Sequence, residues 1–221
     1  MIAHELRAPL TAIRGYSSML IESATDAEQQ KNATRVKESS ERLLAIVNDL
    51  LDVARIQSGQ LSVDLESFDA SEVVIAVIDE LHVSAVEKRI ELKHTGTVES
   101  AVVAGDRKRL HQAITNLVSN AIKYTKDGVI ELTVEEKYNV VEIRVKDTGM
   151  GISAEDQKKL FAPFFRVQND DVSQITGTGL GMWITKQLIE LMGAKIGVES
   201  IKGVGTHVVI KLPKEVRGHG K

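Results

Sequence analysis

Two asparagines and a lysine share one side of the helix predicted over residues 106–125. Asn116, Asn120 and Lys123 fall within about 60° of one another on a helical wheel, with Tyr124 at the edge of that face. Amide oxygens suit magnesium, a hard cation that takes oxygen ligands alongside phosphates, and a nearby lysine would offset phosphate charge. The pattern is that of a metal–phosphate site, and a solvated polar face would show the same spacing.

Two glycine-containing turns follow. DTGMG (147–151) comes directly after an apolar strand pattern, and its glycines let the backbone approach a ligand closely. Its Asp147 can accept a hydrogen bond from an amine such as adenine N6. GTGLG (177–181) stands where a helical pattern begins, so its N–H groups and the helix dipole favour an anion. It is not a P-loop, because no G-x-x-x-x-G-K-[ST] occurs. Each turn read alone is also compatible with an ordinary loop.

His4 is a candidate nucleophile. It lies opposite the apolar stripe of the first predicted helix, Glu5 flanks it, and Pro9 should bend the helix beside it. A neutral imidazole is a usable nucleophile near pH 7. An unreactive surface histidine is the alternative.

Three phenylalanines, Phe161, Phe164 and Phe165, precede the polar stretch 168–176. Such a cluster usually plugs a core. A polar loop between an aromatic anchor and a glycine turn also has the composition of an active-site lid.

In chain order, five segments resemble the sequence boxes of the catalytic half of two-component sensor histidine kinases. They are the phosphoacceptor box HELRAPL (4–10), the asparagine box NLVSNAIKYT (116–125), the glycine boxes DTGMG (147–151) and GTGLG (177–181), and the phenylalanine box FAPFFRV (161–167). The resemblance spans nearly the whole chain. It implies a dimerising helical hairpin, then an ATP-binding domain of the GHKL type that uses ATP and Mg²⁺.

The resemblance also implies a role for single residues. Asn120 would be the magnesium ligand and Asn116 its neighbour in the ATP site. The phosphates and ribose would be met by Lys123 and Tyr124, and the adenine amine by Asp147. The base pocket, the lid and the phosphates would be served by Gly149, Gly151, Gly177, Thr178, Gly179, Leu180 and Gly181.

In that scheme His4 attacks the γ-phosphorus while Glu5 orients the imidazole ring. Arg166 would stabilise the γ-phosphate, or it is only a surface charge at the base of the lid. The phosphoryl group would next pass to an aspartate of a separate response-regulator receiver domain.

Two features depart from the family. Relatives commonly carry Thr or Asn four residues after the histidine to position a water, whereas this chain has Ala8. A methyl group cannot hold a water, so we expect weakened phosphatase activity. Only three residues precede His4. We therefore expect a fragment of a longer sensor that forms a weaker dimer than the intact protein.

The predicted fold class is α+β, beginning with two amphipathic helices. The first carries an apolar stripe of Ile2, Leu6, Leu10, Ile13 and Leu20, with Ser17 in the missing position. A break at Ser23–Asp26 precedes the second helix, with Thr25 or Asp26 as its cap. That helix runs to Ile56 with a seam of Leu43, Val47, Leu50 and Ala54. Two such helices cannot bury their stripes alone, so pairing with a second copy as a four-helix bundle is expected.

A second domain is predicted from about residue 60, giving domains 1–59 and 60–214 and a disordered tail 215–221. Leu61, Val63 and Leu65 alternate with polar residues as in a strand. Further helices are expected at 71–87, 106–125, 154–160 and 179–192, and strands at 90–93, 100–104, 129–135, 140–146, 195–199 and 206–212. This order suggests an α/β sandwich with helices on one face.

Composition excludes several classes of protein. The chain has 221 residues, a net charge of −3 and no cysteine, which removes thiol catalysis, disulfides and Cys-ligated zinc. No apolar run approaches the roughly 20 residues of a spanning helix. We expect a cytoplasmic fragment with no nucleic-acid partner and no direct membrane contact. Two other functions stay open: a GHKL ATPase that drives conformational change, and a non-catalytic scaffold that recruits a regulator.

Overall fold

The structure is a computed structural model that describes residues 2–96, 101–167 and 177–214, with side chains from Pro9 onward. The chain divides into two compact units, the first ending at Leu61 and the second beginning at Ser62. The polar stretch 168–176 and the tail 215–221, for which a lid and disorder are predicted, lie outside the described residues.

Two long helices make up the first unit. Helix α1 spans Ile2–Ser23 and helix α2 spans Ala27–Gln57, so the predicted hairpin is present. Of the two predicted caps, Asp26 is the one used: its carboxylate accepts a hydrogen bond from the backbone N–H of Glu28 at 3.2 Å. This satisfies one of the N–H groups that a helix start leaves without a partner.

The two helices of the hairpin bury only a few of their side chains. Leu10 and Ser17 of α1 and Ala33 and Ser40 of α2 are buried. The larger apolar side chains of the predicted stripes, Ile13, Leu20, Leu43 and Leu50, stay exposed in the single chain. The hairpin therefore buries only part of its apolar surface by itself.

The second unit alternates helices and strands. Its elements are β1 (Glu66–Asp69), α3 (Ala70–Glu87), β2 (Ile90–Thr95), β3 (Val102–Gly105), α4 (Arg107–Tyr124), β4 (Gly128–Lys137), β5 (Val140–Asp147), α5 (Ala154–Gln157), α6 (Gly181–Leu191), β6 (Lys195–Ile201) and β7 (Gly205–Pro213). The predicted α+β fold class is confirmed.

Five of the strands form one mixed sheet in the order β2-β4-β5-β7-β6. The β2–β4 pair is parallel and the other pairs are antiparallel, including the predicted β4–β5 hairpin, whose last register pair is Lys137 with Val140. Alternate residues of the central strands are buried, as in Ile130 and Leu132 of β4, and they join residues of α3, α4 and α6 in one core. The sheet therefore carries its helices on one face.

The strand predicted at Leu61–Leu65 is wrong. The strand of this region is β1, four residues long, which pairs antiparallel with β3 as a separate two-stranded sheet. The backbone N–H of Asp64 instead donates to the carboxylate of Asp106 at 3.1 Å. That partner lies 42 residues away in sequence, so local alternation could not reveal it.

Two helix bounds differ from prediction by more than one residue. Helix α6 begins at Gly181 rather than at Gly179, because Gly179 has φ +73°, outside the right-handed helical region. Helix α5 ends at Gln157, and the residues after it form turns up to Phe164.

Candidate functional site

Helix α4 carries the polar residues of the predicted site, and it is held in place by a capped start and a buried apolar face. The carboxylate of Asp106 caps its start by accepting from the N–H of Arg109 at 3.0 Å. The predicted apolar face is confirmed, with Leu110, Ile114 and Val118 fully buried. Their burial leaves the opposite, half-buried face for the asparagines and Lys123.

Both asparagines face the first turns of α6. The Nδ2 of Asn116 donates to Oγ1 of Thr185 at 2.7 Å, and the Nδ2 of Asn120 donates to Sδ of Met182 at 3.6 Å. A Cβ at Gly181 would lie only 2.6 Å from Oδ1 of Asn116. Glycine at this position therefore lets the start of α6 approach the polar face of α4.

The loop after β5 lies beside the end of α4. The N–H of Met150 donates to the carbonyl of Tyr124 at 3.3 Å. A Cβ at Gly149 would lie 2.7 Å from that carbonyl, and one at Gly151, where φ is +65°, would overlap the carbonyl of Ile201. Both predicted glycines are thus required for this loop to pack where it does.

Asp147 is held at the head of this loop. Its Oδ1 accepts from the N–H of Gly149 at 2.9 Å and from the N–H of Thr206 at 3.2 Å. Burial raises the pKa of the Asp147 carboxyl, and these two backbone donors oppose the rise. The result is an oriented, half-buried acceptor.

The hydroxyl oxygen of Thr125 lies beside Gly149, as does the carboxylate of Asp147. The hydroxyl of Thr125 is buried and finds no hydrogen-bond partner among the residues that the structure describes. Oγ1 of Thr125 and Oδ1 of Asp147 lie 2.8 and 2.9 Å from the point that a Cβ of Gly149 would occupy. A carboxylate and a hydroxyl therefore converge on the backbone of Gly149.

Positive charge collects at the end of α4. Burial lowers the pKa of Lys123, and the charges of Arg166 and Lys88 lower it further. Lys88 reaches the same place from the end of α3, where its Nζ donates to the carbonyl of Ile122 at 3.0 Å. The Nζ of Lys123 also lies 5.7 Å from the ring centroid of Tyr124, whose pKa is raised by burial. Because these positive charges repel one another, a bound anion would be favoured among them.

The turn before α6 approaches this cationic cluster. A Cβ at Gly177 would lie 2.9 Å from Nζ of Lys123, and one at Gly179 would lie 2.8 Å from the carbonyl of Phe165. Within the turn, Oγ1 of Thr178 accepts from the N–H of Leu180 at 3.2 Å, and the side chain of Leu180 is buried. The turn is thus fixed between α4 and the phenylalanine segment.

The phenylalanine segment does not form the core plug that was one of its two interpretations. Phe164 is 63% exposed and adopts φ +62°. Phe161 and Phe165 are only half-buried. The segment instead places Arg166 near enough to lower the pKa of Lys123.

Most of the predicted site residues therefore meet around the C-terminal half of α4. His4 and Glu5 lie on α1, and their side chains fall outside the described residues. Five further polar or sulfur-containing residues contact the site and were not predicted: Lys88, Thr125, Met182, Thr185 and Thr206. Thr125 already stands in the asparagine box, and the four-residue spacing of Gly181 and Thr185, one helical turn, could have pointed to Thr185.

Two features are absent from the part of the chain that the structure describes. No helix there is both long and apolar enough to cross a lipid bilayer. No group of three or more His, Cys, Asp or Glu side chains there is placed to hold a metal ion.

Comparison with known families matches both units. Residues 1–59 match the His Kinase A (phospho-acceptor) domain, and residues 105–216 match the histidine kinase-, DNA gyrase B- and HSP90-like ATPase family. Sensor protein GacS of Pseudomonas syringae pv. syringae is 36% identical over 96% of this chain, and sensor histidine kinase RcsC of Escherichia coli K12 is also 36% identical over 96%. The chain spans 24% and 22% of the lengths of these two relatives.

Solved structures agree. Full-length ShkA in complex with AMPPNP matches with a TM-score of 0.80 and 30% identity, over 96% of this chain and 44% of that one. Histidine kinase AdeS of Acinetobacter baumannii matches with a TM-score of 0.68 and 26% identity, over 96% of this chain and 98% of that one. The chain therefore belongs to the two-component sensor histidine kinases, and it comprises their phosphoacceptor and ATPase-type modules.

Proposed function

We propose that this chain transfers the γ-phosphoryl group of ATP to His4 and then delivers it to an aspartate of a response-regulator receiver domain. One observation carries the proposal: the polar face of α4, the Asp147 loop and the glycine turn before α6 meet in one region of the second unit. That region has an oriented acceptor at one end and clustered cations at the other.

The acceptor end suits adenine. The exocyclic amine of adenine is a donor, and Oδ1 of Asp147 is already oriented by two backbone N–H groups. Gly149 and Gly151 let the loop that carries this acceptor pack closely against Tyr124 and Ile201, and in that place they would shape the base pocket. Tyr124 follows Lys123 at the end of α4 and would contact the ribose.

The cationic end suits the phosphates. Lys123 would offset their charge, and a bound polyphosphate would in turn favour the protonated lysine. Gly177, Thr178, Gly179, Leu180 and Gly181 would bring the glycine turn and the N-terminus of α6 to the same place. Arg166, which lies close enough to affect Lys123, would stabilise the γ-phosphate.

Asn120 fits a magnesium ligand. A thioether sulfur can only accept a hydrogen bond, so the contact with Met182 engages the Nδ2 of Asn120 and leaves Oδ1 for a hard cation. Bound Mg²⁺ would neutralise charge on the phosphates of ATP.

In the chemical step, an imidazole nitrogen of His4 attacks the γ-phosphorus. An N–P bond forms, the P–O bond to the β-phosphate breaks, ADP leaves, and the ring loses its N–H proton. Glu5 would hydrogen-bond the other ring nitrogen and stabilise the positive charge that develops on the imidazole. The phosphohistidine then transfers its phosphoryl group to the receiver aspartate.

The hairpin would act as a homodimer. Its exposed Ile13, Leu20, Leu43 and Leu50 are the surface that a second copy would cover in a four-helix bundle. Because the reaction consumes ATP, we place this part of the protein in the cytoplasm.

The test uses γ-labelled ATP and Mg²⁺ with wild type, His4→Gln and Asn120→Asp. We expect acid-labile, alkali-stable label that requires both residues. His82→Gln is the matched control, because His82 is an exposed histidine of α3 to which the proposal gives no role. Its labelling should equal that of wild type.

Two other outcomes would contradict the proposal. Steady ATP turnover without protein label would indicate an ATPase that drives conformational change. Neither label nor turnover would indicate a scaffold.

Ala8 carries a separate part of the proposal. Without a polar side chain there, the chain should dephosphorylate a phosphorylated regulator slowly, and Ala8→Thr should accelerate that reaction. Equally fast release of phosphate by both proteins would contradict this expectation.

A further inference from the structure

Helix α6 orients the side-chain amides of the site. The two asparagines that α4 presents both direct Nδ2 toward α6, one to Thr185 and the other to Met182. Thr185 and Met182 are three residues apart, so they lie on the same side of that helix. The first turns of α6 thus orient the side-chain amides of both asparagines.

Thr185 is the stronger partner of the two. Its side chain is 1% exposed, and the distance from its Oγ1 to Nδ2 of Asn116 is 2.7 Å. That distance is short for a hydrogen bond between neutral groups, whereas the sulfur contact of Asn120 is long and weak. Asn116 is itself half-buried, so on losing this partner its amide would be left unsatisfied or would turn toward another one.

Fixing the nitrogen also fixes the oxygen, because the amide group is planar. With Nδ2 of Asn116 on Thr185, its Oδ1 lies over Gly181, where a Cβ would stand 2.6 Å away. Thr185 and Gly181 are one helical turn apart on α6. Thr185 therefore holds the nitrogen of this amide, and the missing side chain at Gly181 leaves room for its oxygen.

We propose that Thr185 is a positioning residue for nucleotide binding, which acts by holding the amide of Asn116 in its binding orientation and does not itself contact the nucleotide. The inference rests on the proposed role of Asn116 in the ATP site. It assigns a function to a residue of α6 that lies outside the five sequence boxes.

The test compares Thr185→Val, which keeps the shape and removes the hydroxyl, with Thr185→Ser, which keeps the hydroxyl. Calorimetry would measure the dissociation constants of ADP in EDTA and of AMPPNP with Mg²⁺. We expect Thr185→Val to weaken binding about tenfold, because the amide of Asn116 loses its buried hydrogen-bond partner, and Thr185→Ser to bind like wild type.

A matched control separates this effect from a general loss of hydroxyl groups. Thr115→Val removes a hydroxyl from α4 that lies 3.4 Å from Nδ1 of His111 and plays no part in the proposed site. Its nucleotide affinity should equal that of wild type. Melting curves would confirm that each variant is folded, and Thr185→Ala would replace Thr185→Val if the valine variant does not fold.

A double-mutant cycle with Asn116→Ala decides how Thr185 acts. If Thr185 positions Asn116, removing its hydroxyl should no longer weaken binding once the asparagine is absent. The side-chain amide signals of Asn116 in a ¹H–¹⁵N spectrum should also shift in Thr185→Val and be retained in Thr185→Ser.

An equal loss of affinity in both backgrounds, or no loss in Thr185→Val, would overturn the inference while leaving the proposed function in place. A wild-type chain that binds no adenine nucleotide would overturn both.

Discussion

Leu43 and Leu50 of the hairpin are each 47% exposed, whereas Leu110 and Leu188 of the second unit are fully buried. All four are leucines of amphipathic helices, so residue type does not explain the difference. The second unit sets three helices against a five-stranded sheet and covers their apolar faces within one chain. Two helices alone have no third layer to cover theirs.

The contrast matches the proposed tasks of the two units. A nucleotide site needs side chains held in one geometry, and a closed core provides rigid supports. A dimerising hairpin needs a surface that a second chain can cover. In the proposed dimer, the exposed leucines of α2 would be the surface that the second chain covers.

The largest expected effect tests this comparison directly. Leu110→Ala should lower the free energy of unfolding of the second unit by about 2–5 kcal/mol at any protein concentration. Leu43→Ala, a change of the same chemistry at an exposed position, should cost a single chain under about 1 kcal/mol. Denaturant titrations would measure both.

Leu43→Ala should also change how the self-association of the protein depends on its concentration. Sedimentation should show Leu43→Ala dissociating at higher protein concentration than wild type, because the interface loses a buried side chain. A Leu43→Ala protein whose self-association is unchanged would contradict the assignment of this surface to a dimer.

The next effect concerns nucleotide binding, which should belong to the second unit alone. Asp147→Asn should weaken ADP binding about tenfold to a hundredfold, because a hydrogen bond to a charged acceptor is lost. Self-association through the hairpin should not change. Calorimetry and sedimentation on the same preparation would check both statements.

The raised pKa of Asp147 sets the direction of two pH effects. The folded state disfavours the ionised carboxyl, so ionisation above its ordinary value of 3.8 costs stability, and Asp147→Asn should melt at the same temperature or higher at pH 7. Wild-type affinity for ADP should fall as pH decreases through the raised pKa. A marked loss of stability in Asp147→Asn would contradict this account.

A smaller effect is expected on the outer face of the sheet. Glu142 is buried and accepts hydrogen bonds from Lys137 at 2.8 Å and Arg144 at 2.7 Å, with Lys211 at 3.1 Å. These contacts, that with Lys137 first, hold the pKa of Glu142 at about 2. Glu142→Gln should cost about 1–3 kcal/mol at pH 7.

The difference in stability between wild type and Glu142→Gln should disappear at low pH. A carboxyl with a lowered pKa stabilises the fold above its unfolded value of 4.5 and loses that contribution as pH falls toward 2. Unfolding curves of wild type and Glu142→Gln should therefore converge between these values. Curves that stay apart by the same amount would show that the loss comes from packing.

The smallest expected effect returns to the hairpin. Asp26→Ala removes the side-chain cap of α2 and should cost about 0.5–2 kcal/mol. The loss should appear in thermal unfolding of the hairpin and leave the affinity for ADP unchanged. Reduced affinity for ADP would show that the two units are energetically coupled.

Periodicity and turn chemistry predicted the elements that are locally encoded. The buried face of α4, the Asp26 cap and the β4–β5 hairpin all follow from residues close together in the chain. The strand predicted at Leu61–Leu65 was wrong because the pairing in this region is between β1 and β3, which lie more than thirty residues apart in the sequence. The parallel β2–β4 pair is a long-range contact of the same kind.

The order of the motifs and the residue types at the site are set by the sequence itself, because a few side chains at helical or turn spacing are enough to indicate the chemistry. Only the tertiary structure decided what holds them. Thr185 lies 69 residues from Asn116 and Thr206 lies 59 residues from Asp147, and each provides a hydrogen bond that exists only after α6 and β7 have packed. The spacing of residues in the sequence does not predict such partners, because only the packing of the core brings them together.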